Sequence, residues 1–304
     1  MVILGVYPSH DSGAAVIDTN GRILAAVNEG RLIGEKLYWG FPEESIRTVI
    51  DIAGRSKEDI EYVAFGGRNI AIGRRSAFDE GPSKKRLMEI LSYLPFTGSM
   101  AFSQFGRRIF NLARDDATWK SKIRDLDITA PIRFIDHHYC HAASAYYTSP
   151  FDQDTLIVTL DAQGDFRSST VYTVNEDHSL ELQAWTPFYH SPGKYWAYVT
   201  YNLGFTPMRH EGKITGLAAH GDPESCIDIF RRYLDVDTDD LRFRSRIGCW
   251  NLPAARRLHK GLQGENWEDI SAALQRRTEE VVGDLVASAM NRFDCSTLAL
   301  AGGV

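Results

Sequence analysis

Paired cysteines are missing from this chain. Cys140, Cys226, Cys249 and Cys295 are the only 4 in 304 residues, and no two stand in a Cys-x-x-Cys spacing. That excludes a disulfide framework or a zinc-finger cage and suits reduced thiols in a cytoplasmic protein. Long apolar runs are missing as well: none approaches the roughly twenty residues of a membrane span. The N-terminus opens directly into a strand pattern without a signal-peptide signature, so no membrane association is expected. Basic excess is also absent, with 34 Lys and Arg against 40 Asp and Glu and a formal net charge of -6. Such a balance argues against nucleic acid as a general partner, although a local basic patch stays compatible with it. There is no Walker A loop and no Gly-x-Gly-x-x-Gly. Because position 138 is His, there is no His-Glu-x-x-His protease motif either.

What the sequence does have is one strand grammar used twice. Val2–Tyr7 is apolar, residues 8–13 turn, 14–18 form a second strand, Thr19-Asn20-Gly21 reverses the chain, and 22–28 return. Later, residues 155–160 are an apolar strand and Asp161-Ala162-Gln163-Gly164-Asp165 an acidic turn. Residues 168–175 follow as a strand, Glu176-Asp177-His178 as a reversal and 179–185 as the return. Each round leads through a helix, 43–53 in the first and 267–292 in the second, to a strand ending in Gly66-Gly67 or Gly302-Gly303. Two similar α/β lobes, 1–135 and 136–304, with a cleft between them are the economical architecture. Residues 68–130 break the pattern, with Arg74-Arg75, Lys84-Lys85-Arg86 and Arg107-Arg108 among apolar residues and helices predicted over 83–93, 99–114 and 117–124. They read as a helical insertion in the first lobe. A second unrepeated stretch, 188–223, predicts a helix over 194–203 and then a glycine-rich loop. Within it, Tyr195, Trp196 and Tyr198 read as a packed helix face. Ile270, Leu274, Val281, Leu285, Val286 and Ala289 mark a buried stripe on the long 267–292 helix.

The chemistry concentrates at Asp136-His137-His138-Tyr139-Cys140-His141, between a strand-like 132–135 and a helix-like 142–147. If the helix begins near His137, then His137 and His141 share one face and can grip one cation together. The alternative is a histidine-rich helix start whose rings cap and pack. Asp161, at a strand end, can join them as a carboxylate ligand, a set that suits iron(II), manganese or zinc. The turns Asp11-Ser12-Gly13 and Asp161–Gly164 stand in matching positions of the two lobes, which suggests a nucleotide held between hairpins. A hairpin-turn Asp that merely caps backbone is the alternative. His10 and His138 are candidate general bases, since imidazole titrates near neutrality. Cys140 lies beside the cluster but has no base arranged for it, and reads as a packed thiol.

Five segments in order carry a resemblance: His10-Asp11-Ser12, the Asp136–His141 cluster with Ala142, the strand into Asp161, Glu211-Gly212-Lys213-Ile214-Thr215-Gly216-Leu217-Ala218, and Ala301-Gly302-Gly303-Val304. Together they resemble the O-carbamoyltransferases of the nodulation and antibiotic-tailoring type. The resemblance implies duplicated lobes of the actin-like ATPase (ASKHA, Kae1-like) superfold, joined in family members to a YrdC-like domain. It implies that carbamoyl phosphate and ATP give a carbamoyladenylate, whose carbamoyl group passes to a hydroxyl of a small-molecule or glycan acceptor. By motif, His137, His141 and Asp161 match the family's metal ligands, with iron(II) first and manganese or zinc as alternatives. A further ligand would fall past Val304, so the second lobe is expected to be incomplete and the YrdC-like domain to lie outside this chain. Lys36 resembles the basic residue of the family's early loop. Asp11, Ser12, Gly13, Gly164, Lys213, Gly302 and Gly303 are the implied nucleotide contacts. Thr215 and Ala162-Gln163 depart from the family's usual residues, which bears on nucleotide and substrate preference. Threonylcarbamoyl transfer to tRNA and a non-catalytic nucleotide- or metal-binding fragment are the competing readings. The acceptor and the oligomeric state stay open.

Overall fold

The computed structural model describes residues 1–67 and 112–304. They divide into two compact units, 1–67 with 112–140 and 141–304. Two of the helices expected in the insertion, 83–93 and most of 99–114, lie outside the described residues together with their basic clusters.

In the first unit, β1 (Val2–Tyr7), β2 (Gly13–Asp18) and β3 (Ile23–Asn28) form an antiparallel meander. The Asn20-Gly21 reversal is held by Asp18, whose Oδ1 accepts the backbone N–H groups of Asn20 and Arg22, each at 2.9 Å. The chain then forms α1 (Glu29–Ile33) and α2 (Glu43–Ile52), followed by β4 (Ile60–Gly66), which lies parallel to β1. After α3 (Leu112–Arg124), β5 (Ile132–Ile135) pairs in parallel with β4, and the sheet order is β3-β2-β1-β4-β5. Glu29 is a buried carboxylate that accepts from the backbone of Glu44 at 3.1 Å and of Ser45 at 2.7 Å. It thereby satisfies the open N–H groups and positive end of α2. Leu4, Val16, Ile46, Val49, Val63 and Phe65 make the core, joined by Trp119, Ile123 and Ile128. The end of the expected insertion is therefore part of the first unit's core.

The second unit repeats the order. After α4 (His137–Tyr147), β6 (Thr155–Gly164), β7 (Arg167–Val174) and β8 (Leu180–Pro187) form a meander, and β11 (Thr297–Ala301) lies parallel to β6. The order β8-β7-β6-β11 matches β3-β2-β1-β4 of the first sheet. The strands after both meanders end alike, on a glycine at φ 115°: Gly67 after β4 and Gly302 after β11. The two Gly-Gly pairs thus correspond one position out of step with their sequence echo.

Between β8 and β11 lie α5 (Pro192–Asn202), α6 (Glu211–Ala218), α7 (Ile227–Tyr233), the hairpin β9 (Leu234–Asp237) and β10 (Arg242–Ser245), α8 (Asn251–Gly261) and α9 (Trp267–Phe293). Residues 211–218 were expected as a loop but form a helix. Ile214 is fully buried, and α6 packs along α9, enough to hold two interior glycines in helical form. The apolar stripe of α9 is buried as expected at Ile270, Leu274, Val281, Leu285 and Ala289, against Tyr195, Val199, Phe230 and Phe243 in one core, whereas Val286 is only partly buried at its margin. The aromatic run on α5 is core too, and the Tyr195 hydroxyl donates to the Tyr233 carbonyl at 2.8 Å. All four cysteines are free thiols, and burial pushes Cys226 up to about 12.

Candidate metal centre

The strand β5 delivers the chain to Asp136, whose Oδ1 accepts the backbone N–H of Tyr139 at 3.1 Å. That is a side-chain cap of the kind that starts a helix, so α4 begins at His137 and places His137 and His141 one turn apart on one face. Asp161 comes to this face from β6. The β6–β7 ladder loses register between Leu160 and Gly164, and a bulge of this kind re-aims side chains out of the pleat. The reversal proper follows at Asp165-Phe166, both at positive φ (46° and 67°), the pattern of a two-residue I′ hairpin turn. The turn anticipated at 161–165 is therefore a bulged strand end with the reversal just beyond it.

His141 Nε2 lies 3.3 Å from Asp161 Oδ2. One donor atom from each of His137, His141 and Asp161 falls within 4.8 Å of the other two. Two donors bound at about 2.0–2.1 Å to one tetrahedral ion are themselves roughly 3.3 Å apart. The His141–Asp161 spacing already suits a shared cation, and two imidazoles with one carboxylate are a donor set for iron, manganese or zinc. Among the described residues this is the one such trio.

Asp161 is held from behind. Its Oδ1 accepts from the Ala162 N–H at 3.0 Å and its carbonyl from Ser191 Oγ at 2.9 Å. The start of α5 packs directly on the bulge: a Cβ on Gly193 would stand 2.9 Å from Ala162 Cα and 2.7 Å from Val304 Cγ2. A Cβ on Gly302 would overlap the Leu160 carbonyl oxygen, and one on Gly303 would come within 3.4 Å of Asp161 Oδ1. Bulge, helix start and glycine pair thus converge on one carboxylate.

The remaining candidates are spread more widely. His10 is half exposed, with Nε2 3.3 Å from the Tyr7 hydroxyl and Nδ1 3.7 Å from Asp11 Oδ2. Tyr7 stands between His10 and His137, its ring centroid 5.7 Å from one and 6.1 Å from the other. His138 is fully enclosed, its ring 5.4 Å from that of His137. Asp11 sits at φ 50° in the first turn, and Ser12 is buried. Gly13 lies on β2, where a Cβ would meet the Val27 carbonyl oxygen at 2.6 Å; sheet packing alone requires glycine there. Gly164 closes β6 and is buried. Lys36 is exposed on the loop after α1. Lys213, on α6, holds its ammonium 5.1 Å from the Phe205 ring centroid.

Sequence reasoning missed Tyr7, Ser191 and Lys194. Lys194, in the first turn of α5, is half-buried and donates to Gln163 Oε1 at 3.0 Å. Burial pushes its ammonium down to about 8, against the pull of the Asp161 carboxylate. A lysine two residues after Ser-Pro and a glutamine two residues after a candidate ligand were the available signals, though nothing in the spacing joins them. His190, just before Ser191, is pushed down to about 4 by burial first and then by Arg244. Its Nδ1 accepts the Ser245 N–H at 2.9 Å.

This site lies in a chain matched over residues 2–304 by a family model described as carbamoyltransferase N-terminus. The chain belongs to that family. Nodulation protein NolNO of Sinorhizobium fredii is 30% identical over 97% of this chain and 40% of its own length. An uncharacterized protein of Synechocystis is 27% identical over 99% of this chain and 50% of its own. The chain therefore spans about half the length of these relatives or less. Among solved structures, component A of (R)-2-hydroxyglutaryl-CoA dehydratase from Acidaminococcus fermentans covers 100% of this chain and 92% of its own, at 11% identity and a TM-score of 0.43. YeaZ from Pseudomonas aeruginosa covers 60% and 64%, at 14% identity and a TM-score of 0.31. Among the described residues no helix is long and apolar enough to cross a membrane.

Proposed function

We propose that this chain is the metal- and nucleotide-binding part of an O-carbamoyltransferase, built from two Kae1-like lobes of the actin-like ATPase kind. In this reading carbamoyl phosphate and ATP give a carbamoyladenylate, and the carbamoyl group passes to a hydroxyl of a small-molecule or glycan acceptor. The carrying observation is the His137–His141–Asp161 trio within a chain matched end to end by the carbamoyltransferase family. The shared order of the two meanders supports the duplicated-lobe reading.

A divalent cation held by His137, His141 and Asp161 would polarise a carbonyl and offset negative charge on the donor. Iron(II) is the first choice, with manganese or zinc as alternatives. The Ala162 N–H holds the Asp161 carboxylate and Ser191 Oγ holds the Asp161 main-chain carbonyl, so part of the ligand geometry is set in advance rather than on binding. The acceptor hydroxyl must lose a proton as its oxygen attacks. His10 is the better placed of the two candidate bases, because it is half exposed whereas His138 is enclosed. The Tyr7 hydroxyl at 3.3 Å orients the His10 ring, and the same tyrosine adjoins His137.

The decisive assay supplies carbamoyl phosphate, ATP and a panel of sugars and aminoglycosides, and in a separate arm tRNA with threonine, bicarbonate and ATP, to the full-length protein that contains this chain. Carbamoylated sugar or aminoglycoside is expected. Silence on every small acceptor together with modified tRNA would replace this reading with threonylcarbamoyl transfer.

A further inference from the structure

Lys194 is a cation set at the mouth of the bulge that carries Asp161. Two observations place it there. Its Nζ is tied at 3.0 Å to the Oε1 of Gln163, two residues beyond Asp161. The preceding residue, Gly193, lies directly against Ala162, where a Cβ would stand 2.9 Å from the Ala162 Cα, which sets the start of α5 on the bulge. An ammonium carries three donors, and among the described residues Gln163 takes one of them. Its alkyl stem is half-buried near Phe188, with Nζ 5.8 Å from that ring centroid, so the charge is held near one position. A solvated surface lysine sweeps a wide volume and loses side-chain entropy on capturing a ligand; a tethered one loses less.

We propose that Lys194 binds a phosphate oxygen of the anionic donor at this turn, held in place by Gln163. The inference rests on the carbamoyl-transfer reading above and adds to it a residue that contacts the donor. Two donors share that chemistry, carbamoyl phosphate and the phosphates of ATP.

Calorimetric titration of the manganese-loaded full-length protein that contains this chain with each compound separately tests the assignment, using wild type, Lys194→Met and Lys194→Arg. Lys194→Met is expected to weaken at least one of the two by roughly tenfold or more, the worth of one charge-assisted hydrogen bond. Lys194→Arg is expected to stay within about threefold of wild type. The compound whose affinity falls identifies the phosphate involved. Manganese content and thermal unfolding are measured on all three proteins, so that a lost metal or a misfolded variant is not read as a lost contact. If Lys194→Met binds both compounds as wild type does, Lys194 is not a phosphate contact, while the carbamoyl-transfer reading stands. If wild type binds neither compound, both the contact and that reading fall. If Lys194→Met fails to fold, loss of binding in a folded Lys194→Gln supports the contact and retention overturns it.

Discussion

At the scale of single residues, the trio makes a sharp commitment because its donors are few. Removing one imidazole leaves two protein ligands, too few for a retained cation. His137→Ala and His141→Ala are each expected to lower metal affinity by roughly a hundredfold or more. Elemental analysis after gel filtration checks this, and full metal content in both variants would end the assignment. The glycines behind Asp161 give a second, independent commitment. Gly302 combines φ 115° with a Cβ position that overlaps the Leu160 carbonyl oxygen, whereas a Cβ on Gly303 would make ordinary contact at 3.4 Å. Gly302→Ala should therefore destabilise by about 2 kcal/mol or more, and Gly303→Ala by less than about 1 kcal/mol. Thermal unfolding of the two variants side by side measures the difference. Equal shifts would show that packing at Gly302 is slack.

At the scale of elements, the second unit depends on His190 remaining neutral. Its Nδ1 accepts from the first residue pair of the β9–β10 hairpin, and a proton there would break that bond. The folded imidazole is held at about 4 against an ordinary 6.5. Between these values the unfolded chain takes up a proton that the folded chain refuses. Stability contributed by the neutral ring is complete above about pH 6.5 and is lost as pH falls toward 4. Allowing for the ring's remaining exposure, the loss is about 1–2 kcal/mol. Urea unfolding at pH 7 and pH 5 should show wild type losing more than His190→Asn, which keeps an acceptor near Nδ1 without its proton affinity. Identical losses would remove His190 from the acid response. Elements with strong local signals were legible in sequence: the Asn-Gly hairpin, the α9 stripe and the helix opening at His137. The β9–β10 hairpin was missed although Leu234 and Val236 alternate with Asp235 and Asp237 opposite Arg242, Phe243 and Arg244. Four residues a strand are too short for that alternation to stand out from a charged loop. The helix at 211–218 was missed because local glycine cost outweighs any signal that a sequence shows, while the burial of Ile214 against α9 is a tertiary term.

At the scale of the whole molecule, the repeated sheet order was readable because each meander is local in sequence. The parallel strand that completes each sheet was readable only through its glycine ending. What no spacing could reveal is how distant segments support Asp161: the hydroxyl that holds its carbonyl is 30 residues away, and the glycines behind it follow β11. This order has a consequence for biosynthesis. The two imidazoles and the carboxylate leave the ribosome before the β11 strand that pairs with β6 and the glycines that follow it. Pairings so far apart in sequence close slowly. A nascent chain therefore exposes the His137, His141 and Asp161 side chains before the support behind Asp161 exists.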